Sequence, residues 1–485
     1  MTAKGERRIT GGFVNEAQTL GHRLRDHATF PAPRETVRVP LVIAGGGMGG
    51  LCAAWELERK GFRDFVLLEM EQQAGGNSRS GENDVSAYPW AAHYVPVPNH
   101  EAALVREMFE EFGLIRDGVM DELHLCHSPQ ERLFLHGRWQ DGLEPQTGAT
   151  ARDHEQFKKF DAIIAEYRAS GAFTIPIAEG AKASPLDTVS AANWLQSHQL
   201  DSAHLRWYVD YSCRDDYGAG LNETSAWAAV HYFASREHEE HGPFTWPEGN
   251  GWLVKRLLQK IGKHVRTDSA VYRIERSGRG WRVLTPQAEY LCDAVIFAAP
   301  TFLAHYIVDG MPPAARFEYS PWLTANLTLD RLPAERRSEM AWDNVIYNSE
   351  SLGYVTATHQ RLETFRDKTV WTYYWALARG TPAENRRSLL AGDWNHWKEA
   401  ILTDLSKAHP DIRDCVRSID IMRLGHAMIR PSVGFLFSKE RRFWSEYDRD
   451  RLWFANSDLS GISIFEEAQY RGVHAARRAL KTVGR

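Results

Sequence analysis

The residues with the clearest chemical spacing are Gly45, Gly47 and Gly50, in the pattern Gly-x-Gly-x-x-Gly. The first glycine permits a tight turn. The second lets backbone approach a pyrophosphate, and the third lets a helix pack close to a strand. The free N–H groups at that helix start then face phosphate oxygens. Glu69 stands 24 positions after Gly45, where a carboxylate accepts hydrogen bonds from ribose hydroxyls. This spacing predicts a dinucleotide site; the bland alternative is a glycine-rich turn followed by a surface glutamate. A second group is Asp215, Asp216 and Tyr217 in VDYSCRDDYGAG. Carboxylates beside an aromatic ring suit an organic cation, or they cap and salt-bridge a loop. His231 and Tyr232 in AWAAVHYFASR read as core residues. In TVWTYYWALA, strand alternation puts Tyr374 on the face opposite Tyr373 and Trp375. His426 in LGHAMIRP is either a group that titrates near neutral pH or a satisfied structural histidine.

These residues need elements to hold them. Val37–Ala44 is a short apolar run that leads into the glycines. LCAAWELERKG follows with Leu51, Ala54 and Leu57 on one helical face, and DFVLLE reads as the next strand. Together they form a strand–turn–helix–strand unit. Residues 100–240 read as mainly helical, and SAVYRIE, WRVLT and DAVIFAAP return to strand. TANLTLD, VTATH and VWTYYWALA predict a further sheet within 320–378. A helix near 390–408, the run RLWFANSDLSG and a final helix close the chain. With 485 residues, two to three domains are expected.

Composition excludes several functions. A net charge of −5 gives no attraction to nucleic acid or an anionic membrane. No apolar run is long enough to span a bilayer. Five scattered cysteines without CxxC spacing point to a reduced compartment, with no disulfide framework and no metal cluster. No apolar segment follows Arg7-Arg8 to complete an export signal. A cytoplasmic protein is expected, or a periplasmic one if an upstream signal has been removed.

MEQQAGGNSRSG directly follows Glu69, and its pair Gly75-Gly76 is not required for a nicotinamide cofactor. This stretch resembles the extended fingerprint of the flavin amine oxidase superfamily, which uses FAD. Where that family usually has Arg after the glycine pair, this chain has Asn77, and Arg79 is the nearest substitute for the phosphate contact. PWAAHYVPVP resembles the loop under the flavin ring, with Ala91 and Ala92 as its small pair and His93 after them. WPEGNGWLVKRL and DAVIFAAP are similar to further family segments, and SAVYRI is similar to the strand whose valine, here Val271, touches the adenine side of FAD. FANSDLSGISIFEEAQYRGVHAA resembles the C-terminal flavin motif. The resemblance implies that Asp458 binds the ribityl chain and that the helix beginning near Ile464 faces the N1–C2=O edge of the flavin. It gives Tyr374 or a neighbour as an aromatic wall opposite the flavin, and lets His426 point at the ring. No Cys or His stands at the family's covalent attachment point in that motif, which implies noncovalent FAD.

Many members also hold a lysine that bonds through water to flavin N5. In YSPWLTANLTLDR that slot falls at Thr324, Ala325 or Asn326, and a neutral side chain there orders water without supplying charge. The general texture is most similar to a spermidine dehydrogenase-like or protoporphyrinogen oxidase-like branch. The resemblance therefore implies an α/β protein with a discontinuous Rossmann-type FAD domain (38–105, 245–310 and 440–485). An α+β substrate domain (106–244 and 311–439) would be inserted into it, with 1–37 as an N-terminal arm. It implies an oxidoreductase that takes a hydride from a small organic substrate, an amine first, and passes electrons to a quinone, another carrier or oxygen. The alternatives are a desaturase or ring oxidase, and a non-catalytic carrier on the same fold. A homodimer is left open.

Overall fold

The computed structural model describes residues 8–14, 18–26, 28–237, 242–334, 339–361 and 367–483. Leu41–Ala44 is buried at every position, as a strand covered on both faces must be. It is the central strand of a five-stranded parallel sheet, in the order Val265–Arg266, Phe65–Leu68, Leu41–Ala44, Ala294–Phe297, Leu452–Phe454. Three distant stretches of chain thus build one parallel sheet, which is the α/β fold expected. Helix Met48–Arg59 follows the glycine turn and packs against the C-terminal helix Phe465–Val483. A Cβ added at Gly472 would lie 2.2 Å from the Gly49 carbonyl oxygen, so the two backbones touch. Helix Gly251–Ile261 joins them over a core that includes Leu41, Trp55, Phe109, Leu253 and Val473. A four-stranded sheet of Arg273–Ser277, Gly280–Leu284, Ala288–Cys292 and Glu35–Arg38 covers the other face, where Val42, Val66, Trp281 and Val283 share a second core.

The other half is an eight-stranded mixed sheet. Its order is Thr10–Val14, Val416–Ile429, Tyr319–Leu329, Thr369–Ala376, Gly353–Thr356, Asp343–Ile346, Glu131–Leu135, Arg138–Asp141. Alternation divides Tyr319–Leu329 between two faces. Leu323, Ala325 and Leu327 pack in a core with Trp397, Ile401 and Leu405 of the helix Trp394–Leu405. Trp322 packs on the other side with Trp207, Tyr211 and Tyr374. Helices Ala151–Ala169, Ala191–Ser197, Ala203–Tyr217 and Ala226–Ala234 form a cluster beside that second face.

Three local expectations differ from the structure. The polar N-terminal stretch is more than an arm: Thr10–Val14 pairs in parallel with Ser418–Met422, and Glu35–Arg38 pairs in parallel with Ala288–Leu291. Neither strand has a buried residue, so no apolar period marks them, and only the pairing makes them strands. The stretch 100–240 also contains the hairpin Glu131–Leu135 and Arg138–Asp141. Helix Ala103–Glu111 runs across the boundary expected after residue 105, and its Val105, Met108 and Phe109 belong to the nucleotide-binding core. Among the described residues no helix is long and apolar enough to cross a membrane.

Candidate functional site

A groove runs along the C-terminal edge of the parallel sheet. Gly45 starts it in a left-handed conformation, φ 114°, where an added Cβ would lie 2.7 Å from the backbone of Ala298. An added Cβ at Gly47 meets nothing within 4 Å, so backbone is bared to open space here. At Gly50 it would lie 2.0 Å from the Gly45 carbonyl oxygen, which is the close helix packing the motif implied. Glu69 lines the groove at the end of its strand. Its carboxylate accepts from the Gly46 N–H at 2.7 Å and the Glu71 N–H at 2.8 Å, while burial raises its carboxyl. Gly76 has φ 55° and sits against Gly47. Asn77 donates to the Ala427 carbonyl, and Arg79 donates to the Gly76 carbonyl and pairs with Glu71. Val271 also lines the groove. At the other end Asp458 is 6% exposed and accepts from the Thr301 N–H at 2.9 Å and the Tyr319 hydroxyl at 2.6 Å. Burial pushes that carboxyl up while both donors pull it down.

The groove opens into a second space. Asn77, Ala92, Asn250, Ser463 and Ile464 line both the groove and a passage beyond it. From the passage, His93, Tyr94, Asp215, Asp216, Arg236 and Tyr374 continue into a cavity. Ile464 borders all three spaces, immediately before the helix that starts at Phe465. The rings of His93 and Tyr374 stack at 4.6 Å, and the Tyr374 hydroxyl donates to the Ala91 carbonyl. Burial holds His93 down to about 4, so it is neutral. The cavity is acidic. Desolvation, then the Asp216 charge, push Asp215 up to about 7, and desolvation pushes Asp216 up to about 6. Glu131 and Asp343 line the same cavity, and burial raises both. Glu131 is exposed by area yet lines the cavity, where surrounding protein withholds much of the bulk solvent. The lining also contains Arg236, which donates to Glu466 at 2.5 Å.

Several expected site residues stand elsewhere. Tyr217 is a core residue, fully buried, and its hydroxyl donates to the Ala228 carbonyl. The helix Ala203–Tyr217 turns Asp215 and Asp216 toward the cavity and Tyr217 away. His426 lines the groove, not the cavity, and stacks on Phe302 at 4.4 Å, with burial holding it down to about 3. Asn326 borders neither space. It donates to the Pro89 carbonyl and accepts from the Thr372 hydroxyl. On the same strand face Trp322 reaches the passage, and the buried Thr324 hydroxyl has no partner among the described residues. His231, read as core, is 2% exposed yet edges the cavity, with its Nε2 at 3.0 Å from the Thr174 carbonyl. Glu131, Asp343, Arg236 and Glu466 escaped sequence reading. Each acid opens an ordinary strand or helix, and only an acid heading the apolar runs ERLFL and DNVI hinted at a function.

Sheet, glycine turn and groove define a dinucleotide-binding α/β protein with an acid-lined cavity at the far end of the groove. Residues 48–480 match the family described as flavin containing amine oxidoreductase, and the chain belongs to that family. An L-amino acid dehydrogenase from Synechocystis sp. is 23% identical over 288 residues, covering 56% of this chain and 58% of that protein. A solved structure of putrescine oxidase bound to putrescine superposes with a TM-score of 0.69 at 15% identity, over 92% of this chain and 100% of that one. Cyclohexylamine oxidase from Brevibacterium oxydans superposes with a TM-score of 0.68 at 16% identity, also over 92% and 100%. At these identities the solved structures show a shared fold.

Proposed function

We propose that the protein is an FAD-dependent oxidoreductase that oxidises an amine. The observation that carries this reading is the junction at Ile464, where a dinucleotide groove opens into a cavity of carboxylates and aromatic rings. The groove fits FAD residue by residue. Open space at Gly47 admits a pyrophosphate, with Gly45, Gly50 and Gly76 shaping the backbone and Arg79 nearby. Glu69 would hold the adenosine ribose, Val271 the adenine, and Asp458 the ribityl hydroxyls. The helix start at Ile464 would face the flavin edge that gains charge on reduction.

Bound FAD would supply the two-electron acceptor, taking hydride at N5. The protein's part is to hold the amine and move its proton. Asp215 and Asp216 face the ammonium group, and Tyr374 with His93 walls the passage. An ammonium must lose a proton before the carbon beside it can lose hydride, and an Asp215 carboxyl near pH 7 is poised to accept it. Hydride leaves carbon, the C–N bond becomes an imine, and water releases an aldehyde or ketone and the amine nitrogen. An acidic cavity does not suit an apolar chain, which disfavours the desaturase alternative. With Thr324, Ala325 and Asn326 where a lysine is common in the family, the electrons go to a quinone or another carrier in preference to oxygen. Anaerobic mixing with a panel of amines tests this reading. Bleaching of the flavin by at least one amine is expected, and a yellow protein that no amine bleaches would refute it.

A further inference from the structure

The two N-terminal strands belong to different halves of the molecule. Thr10–Val14 is an edge strand of the eight-stranded sheet, and Glu35–Arg38 is an edge strand of the four-stranded sheet on the nucleotide-binding half. Between them in the chain lies the helix Gln18–Arg25. Its one buried residue, Leu24, is 6% exposed and lines the cofactor groove. Leu24 packs in one core with Ile307 and with Val271, and both of these also line the groove. Phe30 then stacks on Tyr272, the chain neighbour of Val271, with centroids 4.6 Å apart and planes 5° apart. The Arg23 guanidinium lies 4.6 Å from the Phe30 ring centroid and donates to the Thr29 carbonyl at 3.1 Å, which ties the helix to that stack. Burial, then the charges of Arg386, His22 and Arg25, hold His426 down, and His426 lines the same groove. The helix therefore runs along the groove. Eight residues are too few for a helix that stands alone in water. With one leucine buried, its docking opens locally at low cost.

From this placement, and resting on the FAD reading, we propose that the helix Gln18–Arg25 is a strap over the adenosine half of the cofactor, with Leu24 as a further contact of the adenine beside Val271. The glycine turn and Glu69 form the sheet side of that site, and the strap closes it with a segment that precedes the nucleotide-binding unit in the chain. FAD enters and leaves when Leu24 is unseated. Bound FAD gives the helix apolar surface to rest on, so cofactor and strap stabilise one another.

The test uses the flavin-loaded wild type and its Leu24→Ser, Phe30→Ala and Val283→Ala variants. Val283 lies in the same core but not on the groove, so its variant separates general loosening of the fold from loss of the strap. Release of FAD is read from the rise of free-flavin fluorescence after dilution. Seating of the helix is read from trypsin cleavage after Arg23 and Arg25, which are exposed. Leu24→Ser is expected to release FAD about 10-fold faster than the wild type or more. Phe30→Ala should also release it faster, and Val283→Ala at the wild-type rate. Trypsin should cut at these two arginines about 10-fold more slowly in the loaded wild type than in its apoprotein. Release from Leu24→Ser at the wild-type rate, equal acceleration by Val283→Ala, or equal cleavage with and without FAD overturns the strap and leaves the FAD reading intact. A wild type that neither carries nor takes up FAD overturns both. If Leu24→Ser loses its flavin during purification, Phe30→Ala and the cleavage comparison on the wild type decide.

Discussion

Asp215 is placed for binding at a cost to the fold, and that cost is measurable. Its carboxyl rises from 3.8 to about 7, chiefly through desolvation and then through the charges of Asp216 and Glu131. Below pH 4 the group is protonated in both the folded and the unfolded chain and costs nothing. Between pH 4 and 7 the folded protein keeps a proton that the unfolded chain releases, so stability falls as pH rises. A shift of about three pKa units is worth about 4 kcal/mol above pH 7. Water in the cavity screens this to about 2 kcal/mol. Asp215→Asn keeps the side-chain shape and removes the charge, so it should stabilise the protein at pH 8.5 and do little at pH 4.5. For a chain of 485 residues, unfolding entropy is about 1 kcal/mol/K, so the gain is about 2 °C in Tm at the higher pH. Thermal melts of flavin-loaded protein without amine, at both pH values, make the measurement. A variant that melts at or below the wild type at pH 8.5, or that gains equally at both pH values, would show that Asp215 does not carry this buried charge.

Gly47→Val places a branched side chain in the open space reserved for pyrophosphate, so the purified variant should be colourless; a yellow variant with a full complement of flavin would disprove the groove assignment. Arg236→Gln strips Glu466, 1% exposed, of its partner. The loss should be about 3 kcal/mol, about 3 °C in Tm, and an unchanged melt would mean that water or a neighbour compensates the carboxylate. Flavin reduced anaerobically and mixed with air-saturated buffer should reoxidise over many seconds, since the strand Tyr319–Leu329, which holds Thr324, Ala325 and Asn326, carries no basic residue; reoxidation in milliseconds counts against a dehydrogenase.

Sequence alone determined the strand–glycine turn–helix–strand unit that begins the groove. Gly45, Gly47, Gly50 and Glu69 act within one strand–turn–helix–strand unit, so their geometry follows from local backbone rules and appears directly in their spacing. The same holds for the helix start after Ile464. Alternation correctly turned Tyr374 away from Tyr373, because a strand's side-chain period is independent of its neighbours. It could not choose among Thr324, Ala325 and Asn326, since the Pro89 carbonyl and the Thr372 hydroxyl that tie Asn326 down come from distant segments. Tyr217 was assigned to the site because its neighbours carry charge, and one step along the helix Ala203–Tyr217 rotated it into the core. The acidic cavity belongs wholly to the tertiary structure. Glu131 and Asp343 meet through the register of two parallel strands that are remote in the chain. Arg236 meets Glu466 through the contact of two distant segments. Strand register and domain packing are set by cooperative burial over the whole molecule, and no local window of sequence contains that information.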